Sequence, residues 1–209
     1  MKITFSDGRL NKVHISVDGE YVFTVDSEYW YSCKWRNTSE IDEPEDEEEF
    51  YNEIGSRAAF ISGLRVLSYG DNSRKELRRK LISKGHKAQY VDFALEKLEE
   101  YGYINDERFA SYFAERLVRT KHSSKNGIKN ELMLKGISRE IADNVLSKME
   151  FSPVEDIKAV IEKKYKNHIN NEKGLKKTVA GLQRLGYNWS DIKSALNEFD
   201  TGEEEYFDD

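Results

Sequence analysis

The segment KLISKGH at residues 80–86 returns as ELMLKGI at 131–137 and as GLQRLGY at 181–187, with Gly85, Gly136 and Gly186 in register at spacings of 51 and 50 residues. Leu81, Leu132 and Leu182 stand four residues before each glycine, and Leu95, Leu146 and Leu196 ten residues after it. The residue before each of those later leucines is Ala94, Val145 or Ala195, and Leu98, Met149 and Phe199 follow three positions on. Agreement at so many apolar positions marks a tandem repeat, in which each copy buries its apolar face against its neighbours.

Each copy reads as three helices. In the first, Ser73 and Glu76 have capping-box spacing, and Leu77 and Leu81 form an apolar stripe that stops at Gly85. Gly85, Gly136 and Gly186 fit the left-handed position just past a helix end, which glycine occupies at least cost. Tyr90, Val91, Ala94, Leu95, Leu98 and Tyr101 follow a 3.6-residue period and predict the second helix. Ser138 and Asn188 are placed to cap the second helix of the other copies.

The stretch YGYINDERFA, residues 101–110, then reads as a boundary. Gly102 ends the second helix, Asn105 caps the third, and Asp106 and Glu107 lie in its first turn, where the helix dipole favours negative charge. Ile104 and Phe109 have the spacing of a hydrophobic staple. Tyr103 is expected to fill the corner between helices, and Phe109, Tyr112, Phe113 and Leu117 to form the buried stripe of the third helix.

The front of the chain reads differently. Val13, Ile15 and Val17 alternate with polar residues up to Asp18-Gly19, after which Tyr21, Phe23 and Val25 alternate again. Period-2 runs flanking Asp-Gly predict a β-hairpin, because its turn needs positive φ at both central residues. Lys2–Phe5 supplies a third strand, and residues 27–36 a short helix capped by Ser27 that buries Trp30 and Tyr31. EIDEPEDEEE, residues 40–49, reads as an acidic linker, with Pro44 arguing against a helix across it. The expected fold is mainly α: tandem three-helix repeats in an elongated curved array behind a small β-hairpin region. The divisions are a hairpin region over 1–39, an acidic linker over 40–55, a repeat body over 56–200 with copies at about 71–120, 121–170 and 171–200, and an acidic tail over 201–209. In the third copy Gly174 stands where Ser73 and Ser124 cap the others, and no third helix is evident after Phe199.

Composition narrows the function. The net charge of −6 combines −9 over residues 1–55, +8 over 56–200 and −5 over the tail. A basic body between acidic ends suits contact with nucleic acid or an acidic protein surface. Charged residues are 34% of the chain, yet 12 tyrosines and 10 phenylalanines argue for a packed core. Cys33 is the only cysteine, so no disulfide framework or cysteine-based zinc site is available, which fits a reducing cytosol. The start MKITFSDGR lacks an apolar signal region and no run of 18 apolar residues occurs, so a cytoplasmic protein without membrane contact is expected.

His14, His86, His122 and His168 are scattered, and no phosphate loop, dinucleotide fingerprint or nucleophile elbow is present. No catalytic residue, metal site or cofactor is therefore expected. What stands out is basic. RKELRRKL, residues 74–81, puts Lys75, Arg78 and Arg79 on a face opposite Leu77 and Leu81, with Arg74 and Lys75 in a first turn where cations are disfavoured by roughly 0.3–1 kcal/mol each. A second concentration runs through Arg116, Arg119, Lys121, Lys125, Lys129 and Lys135. Few acids lie near the first group, and Lys75 with Arg79 is a repulsive pair, so a binding surface is expected at both.

With the repeats laid out, SRKELRRKLISKG, LEEYGYINDERFA and IKNELMLKGI in that order resemble the RecX family of recombination regulators, over about residues 56–200. The resemblance implies a non-enzyme that binds the RecA recombinase filament along its groove and inhibits its ATP hydrolysis and strand exchange; the chain itself is expected to be a monomer. Arg74, Lys75, Arg78, Arg79, Arg116, Arg119, Lys121, Lys125, Lys129 and Lys135 are the candidate contacts to the filament or to its single- or double-stranded DNA. Gly85, Gly102, Tyr103, Asp106, Phe109 and Gly136, with Gly186 from the repeat register, would hold the repeat. The alternative is a helical repeat protein that binds nucleic acid directly, without filament specificity. Against it, Asp92, Glu96, Glu99 and Glu100 make the first copy's second helix acidic, where a reading helix would be basic.

Overall fold

A computed structural model describes residues 1–169 and 171–199; the acidic tail lies outside the described residues. Two compact units divide at residues 105 and 106.

The first unit opens with an antiparallel sheet in the order β1 (Ile3–Gly8), β2 (Lys12–Val17) and β3 (Glu20–Asp26). Asp18 and Gly19 both take positive φ, 50° and 87°, as the turn requires. Val13, Ile15, Val17 and Val25 are buried on one face. The alternation breaks at Tyr21. Ile15 pairs with Phe23, but Ser16 pairs with Tyr21, so Val22 is an extra residue and forms a β-bulge. The bulge moves Tyr21 to the polar face, where it is 63% exposed and its hydroxyl lies 3.0 Å from Thr24 Oγ1.

Helix α1 (Ser27–Ser32) buries Trp30 as the sequence suggests, with two differences. Asp26, not Ser27, is the cap, accepting from the Tyr29 N–H at 3.0 Å; Tyr31 is 40% exposed and donates its hydroxyl to Asp7. A 3₁₀ turn over Lys34–Asn37 follows and buries Trp35.

The acidic run is not a free linker. Lys2 bridges to Glu40, Ile41 is buried, and helix α2 (Pro44–Leu67) begins inside the run. Pro44 occupies the first helical turn, where its missing N–H costs nothing, and Glu45, Asp46 and Glu47 sit where the helix dipole favours carboxylates. Proline here starts a helix instead of breaking one. One end of α2 packs Phe50 and Ile54 into the sheet core, and the other packs Ala59 and Phe60 into a core with α3 (Arg74–Ser83) and α4 (Ala88–Glu100). Polar bonds fasten the front to α2. Glu53 accepts from Tyr29 Oη and Trp35 Nε1, both at 2.8 Å, and Arg57 Nε donates to Asp26 at 2.7 Å. Burial opposes ionisation of Asp26, but the bonds from Arg57 and the Tyr29 N–H hold its carboxyl below the ordinary range.

The second unit contains α5 (Asp106–Lys121), α6 (Lys125–Leu134) and α7 (Arg139–Ser147) around one core. Helix α8 (Pro153–Val160), continued by a π-helical turn over Ile161–Tyr165, packs with α9 (Glu172–Arg184) and α10 (Trp189–Asn197) around another. The period read from the sequence holds, but the cores group α2–α4, α5–α7 and α8–α10. The helix after each second helix thus opens the next bundle, so the last bundle has its three helices without any after Phe199. Its cap is also present: Asn171, three residues ahead of Gly174, accepts the Gly174 N–H at 2.9 Å. In α5, Phe109, Phe113 and Leu117 are buried with Ala110 and Ala114, while Tyr112 falls off the stripe at 60% exposed. Ile104 is buried in the α2–α4 core and Phe109 in the α5–α7 core, so the expected staple pair is shared between two cores.

All three repeat glycines take the same turn. The Gly85 N–H donates to Ile82 O at 2.9 Å and His86 N–H to Leu81 O at 3.3 Å; Gly136 and Ile137, and Gly186 and Tyr187, repeat the pattern. Gly102 closes α4 identically, with Tyr103 N–H on Leu98 O at 2.8 Å. These are Schellman closures with the glycine at φ between 73° and 93°. The third differs in its surroundings. The Ser124 N–H donates to Leu185 O at 3.0 Å, and a Cβ on Gly186 would come within 2.4 Å of Gly127 N. Gly85→Ala, with open space around it, should therefore cost about 1 kcal/mol from the left-handed backbone alone. Gly186→Ala should cost clearly more, because the backbone of α6 must also move; urea unfolding of both variants measures the difference.

Candidate partner-binding surfaces

In the first unit the expected cations of α3 divide into two kinds. Arg78 donates through Nε and Nη2 to the two carboxylate oxygens of Asp92 on α4, at 2.7 and 3.0 Å. Arg74 Nε reaches Glu99, also on α4, at 3.2 Å. Lys75 and Arg79 are exposed and have no ionic partner among the described residues. The acids that neutralise α3 are supplied by the neighbouring helix, which a search along α3 alone does not reveal.

The bidentate pair has an echo in the second unit. Lys129 on α6 bonds Asp143 on α7, and both lie 51 residues beyond Arg78 and Asp92. The pair thus belongs to the repeat itself, tying a bundle's second helix to its third, and its register was available in the sequence. In the last bundle the matching positions are Val179 and Lys193, so this ion pair cannot form. The hydrogen bond from Arg78 holds the Asp92 carboxyl below its ordinary value, and that from Lys129 does the same for Asp143.

Three of the remaining expected cations of the second unit lie near aromatic rings. The Arg116 guanidinium lies 4.9 Å from the centre of Phe113 and Lys135 Nζ lies 5.6 Å from it, so two expected site residues, one on α5 and one at the end of α6, converge on one aromatic ring. Lys125 Nζ lies 6.0 Å from the Phe151 ring. Arg119 and Lys121, near the end of α5, are exposed and without an ionic partner among the described residues. Their charge also suits the carbonyl end of that helix.

The residues expected to hold the repeat sit as follows. Gly85, Gly102, Gly136 and Gly186 form the four turns, Asp106 opens α5 and Phe109 is buried below it. Tyr103 does not fill a corner: it is 50% exposed, its ring edge-on to Phe60 at 6.5 Å. Among the described residues no group of His, Cys, Asp and Glu could hold a metal ion, and no helix is long and apolar enough to cross a membrane.

Comparison with known proteins agrees with this layout. Residues 59–98 match the first three-helix domain of RecX and residues 105–146 the second, the same helix groups that share cores here. A regulatory protein RecX from Caldanaerobacter subterraneus is 32% identical, over 90% of this chain and 93% of its own length. The chain belongs to the RecX family. A regulatory protein RecX from Clostridium tetani is 30% identical over 94% of the chain. A crystal structure of a regulatory protein RecX aligns over 94% of this chain and 98% of its own, with a TM-score of 0.66 at 22% identity. One of RecX from Lactobacillus salivarius covers 70% of this chain and 97% of its own, with a TM-score of 0.58 at 24% identity, so the RecX fold is shared with both.

The ion pairs generate a stability prediction. Arg78→Ala and Asp92→Ala should each lower the urea midpoint, and the double variant should lose less than the sum; Lys75→Ala should leave it unchanged. Since the Asp92 carboxyl titrates below its ordinary 3.8, its contribution is complete above that pH. It is lost as the pH falls through the lowered folded value, so wild type and Asp92→Asn should converge in acid.

Proposed function

We propose that the protein is a regulator of the RecA recombinase filament, acting in the cytoplasm as a monomer and inhibiting ATP hydrolysis and strand exchange without chemistry of its own. The observation that carries this reading is membership of the RecX family over nine-tenths of the chain. The exposed cations on rigid helices supply the means. Lys75 and Arg79 on α3, and Arg119 and Lys121 on α5, offer charge to an acidic protein surface or to phosphates. Arg116 and Lys135, steadied on Phe113, and Lys125, near Phe151, add contacts with less side-chain freedom to lose on binding. Arg74, Arg78 and Lys129 serve chiefly by fixing the neighbouring helix through its acids.

Inhibition then follows from occupancy. A helical body lying in the filament groove holds neighbouring recombinase protomers in a geometry poor for hydrolysis and extension. The acidic face of α4 argues for this over plain reading of DNA, because Asp92, Glu96, Glu99 and Glu100 stand where base or phosphate contacts would need cations.

The test is titration of the protein into a RecA ATPase assay on single-stranded DNA. Replacing Lys75, Arg79, Arg119 and Lys121 by Glu should raise the half-inhibiting concentration at least about tenfold while leaving thermal unfolding within a few degrees. An unchanged value removes these four cations from the mechanism. Wild-type protein should also bind RecA-coated DNA at least about tenfold more tightly than bare DNA; equal affinity makes it a plain nucleic-acid binder instead.

A further inference from the structure

The ten residues expected to make contact leave out a large open concavity of the first unit. It is a cleft of about 840 Å³ between the β2–β3 hairpin, the middle of α2 and the α3–α4 turn. Lys12, Arg65, Lys84 and Lys87 line it together with His86, and no carboxylate does. Its floor is aromatic. The Phe23 ring meets Tyr51 and Tyr90 edge-on at 6.0 Å each, and Lys87 Nζ lies 5.8 Å from Tyr51 and 5.7 Å from Tyr90. The wall is Tyr21, the residue that the β-bulge turns out of the hairpin core.

We propose that this cleft binds a short stretch of single-stranded nucleic acid, its phosphates on Lys12, Arg65, Lys84 and Lys87 and a base stacked on Tyr21. Three features point to this occupant. Four cations with no carboxylate among them complement a polyanion, and Lys12, Arg65 and Lys84 have no ionic partner among the described residues. The exposed Tyr21 ring lines the same cleft as those cations, the pairing of stacking platform and electrostatic funnel that suits unpaired bases. Finally, the bulge breaks the hairpin's alternation with the result that this ring leaves the core, and bulges commonly re-aim a side chain where a ligand is met. A duplex would hide its base faces and use only the cations. An acidic polypeptide would likewise have no use for the ring. The proposal stands apart from the filament reading, because it concerns bare strands and residues that reading does not use.

The test needs no recombinase. Binding of a fluorescent oligo(dT) to the full chain is followed by anisotropy across a salt series. Lys84→Ala with Lys87→Ala should weaken binding at least tenfold at low salt and reduce the log–log salt slope by about 1.4, at roughly 0.7 for each phosphate no longer neutralised. Lys84→Arg with Lys87→Arg should restore both, which separates charge from folding. Tyr21→Ala should weaken binding about tenfold with the slope unchanged. An unaltered slope and affinity in the Lys84/Lys87 alanine variant overturns the proposal. So does equal competition by duplex DNA with no effect of Tyr21→Ala, which would mark a general phosphate patch. Polyglutamate competing as well as the oligonucleotide would reassign the cleft to an acidic polypeptide.

Discussion

Everything in the helical part of the molecule depends on one backbone device, the left-handed glycine that ends a helix. Two N–H groups fold back onto the last turn, satisfying carbonyls that would otherwise be left unpaired, and the chain leaves at a set angle. Because Gly85, Gly136 and Gly186 all do this, the paired helices they join meet in one repeated geometry. The last of these turns is also a docking element. The carbonyl end of α9, at Leu185, receives the Ser124 N–H at the start of α6, opposite helix-dipole ends placed together. Gly127 leaves room for that approach, since a Cβ there would meet Leu185 O at 2.1 Å. Tyr187 reinforces the contact by donating its hydroxyl to His122 O at 2.7 Å.

The same repeated geometry sorts the surface charges. A helix pair joined at a fixed angle brings Asp92 to Arg78 and Asp143 to Lys129, so each of these bundles neutralises one cation in the same place. Lys75 and Arg79, on the same helix as Arg78, have no ionic partner among the described residues and remain available. Charge neutralised within the bundle supports shape; charge left exposed supports association. That division follows from local packing, and it separates residues such as Arg78 and Arg79 that stand side by side in the chain.

Much of this was legible in the amino-acid order. The glycine register, the Ser138 and Asn188 caps and the Asp18-Gly19 turn are short-range features, and each forms as its spacing requires. What could not be read depends on partners distant in sequence. Pro44 looks like a breaker until the helix is known to begin there. Tyr112 has helical spacing to Phe109, but the side of α5 that is covered depends on α6 and α7. Tyr21 keeps the alternation of its strand on paper, and only pairing with β2 reveals the extra residue at Val22. The Arg78–Asp92 pair lies between: its repeat at 51 residues was visible, its contact was not. The helix grouping was hidden for a related reason, since a periodic sequence specifies its period and leaves the starting point of each bundle to packing.

Helix α2 carries a consequence for how the protein comes apart. Its 24 residues belong to two cores at once, with Phe50 and Ile54 in the sheet core and Ala59 and Phe60 in the helical one. Opening either core uncovers apolar side chains on a rod that the other still needs, so the two share one cooperative transition rather than two. Amide protons of β2 and of α4 should therefore exchange through the same opening, although they lie in different kinds of structure. The acidic front is in this sense not an appendage to a helical protein but part of its smallest stable piece.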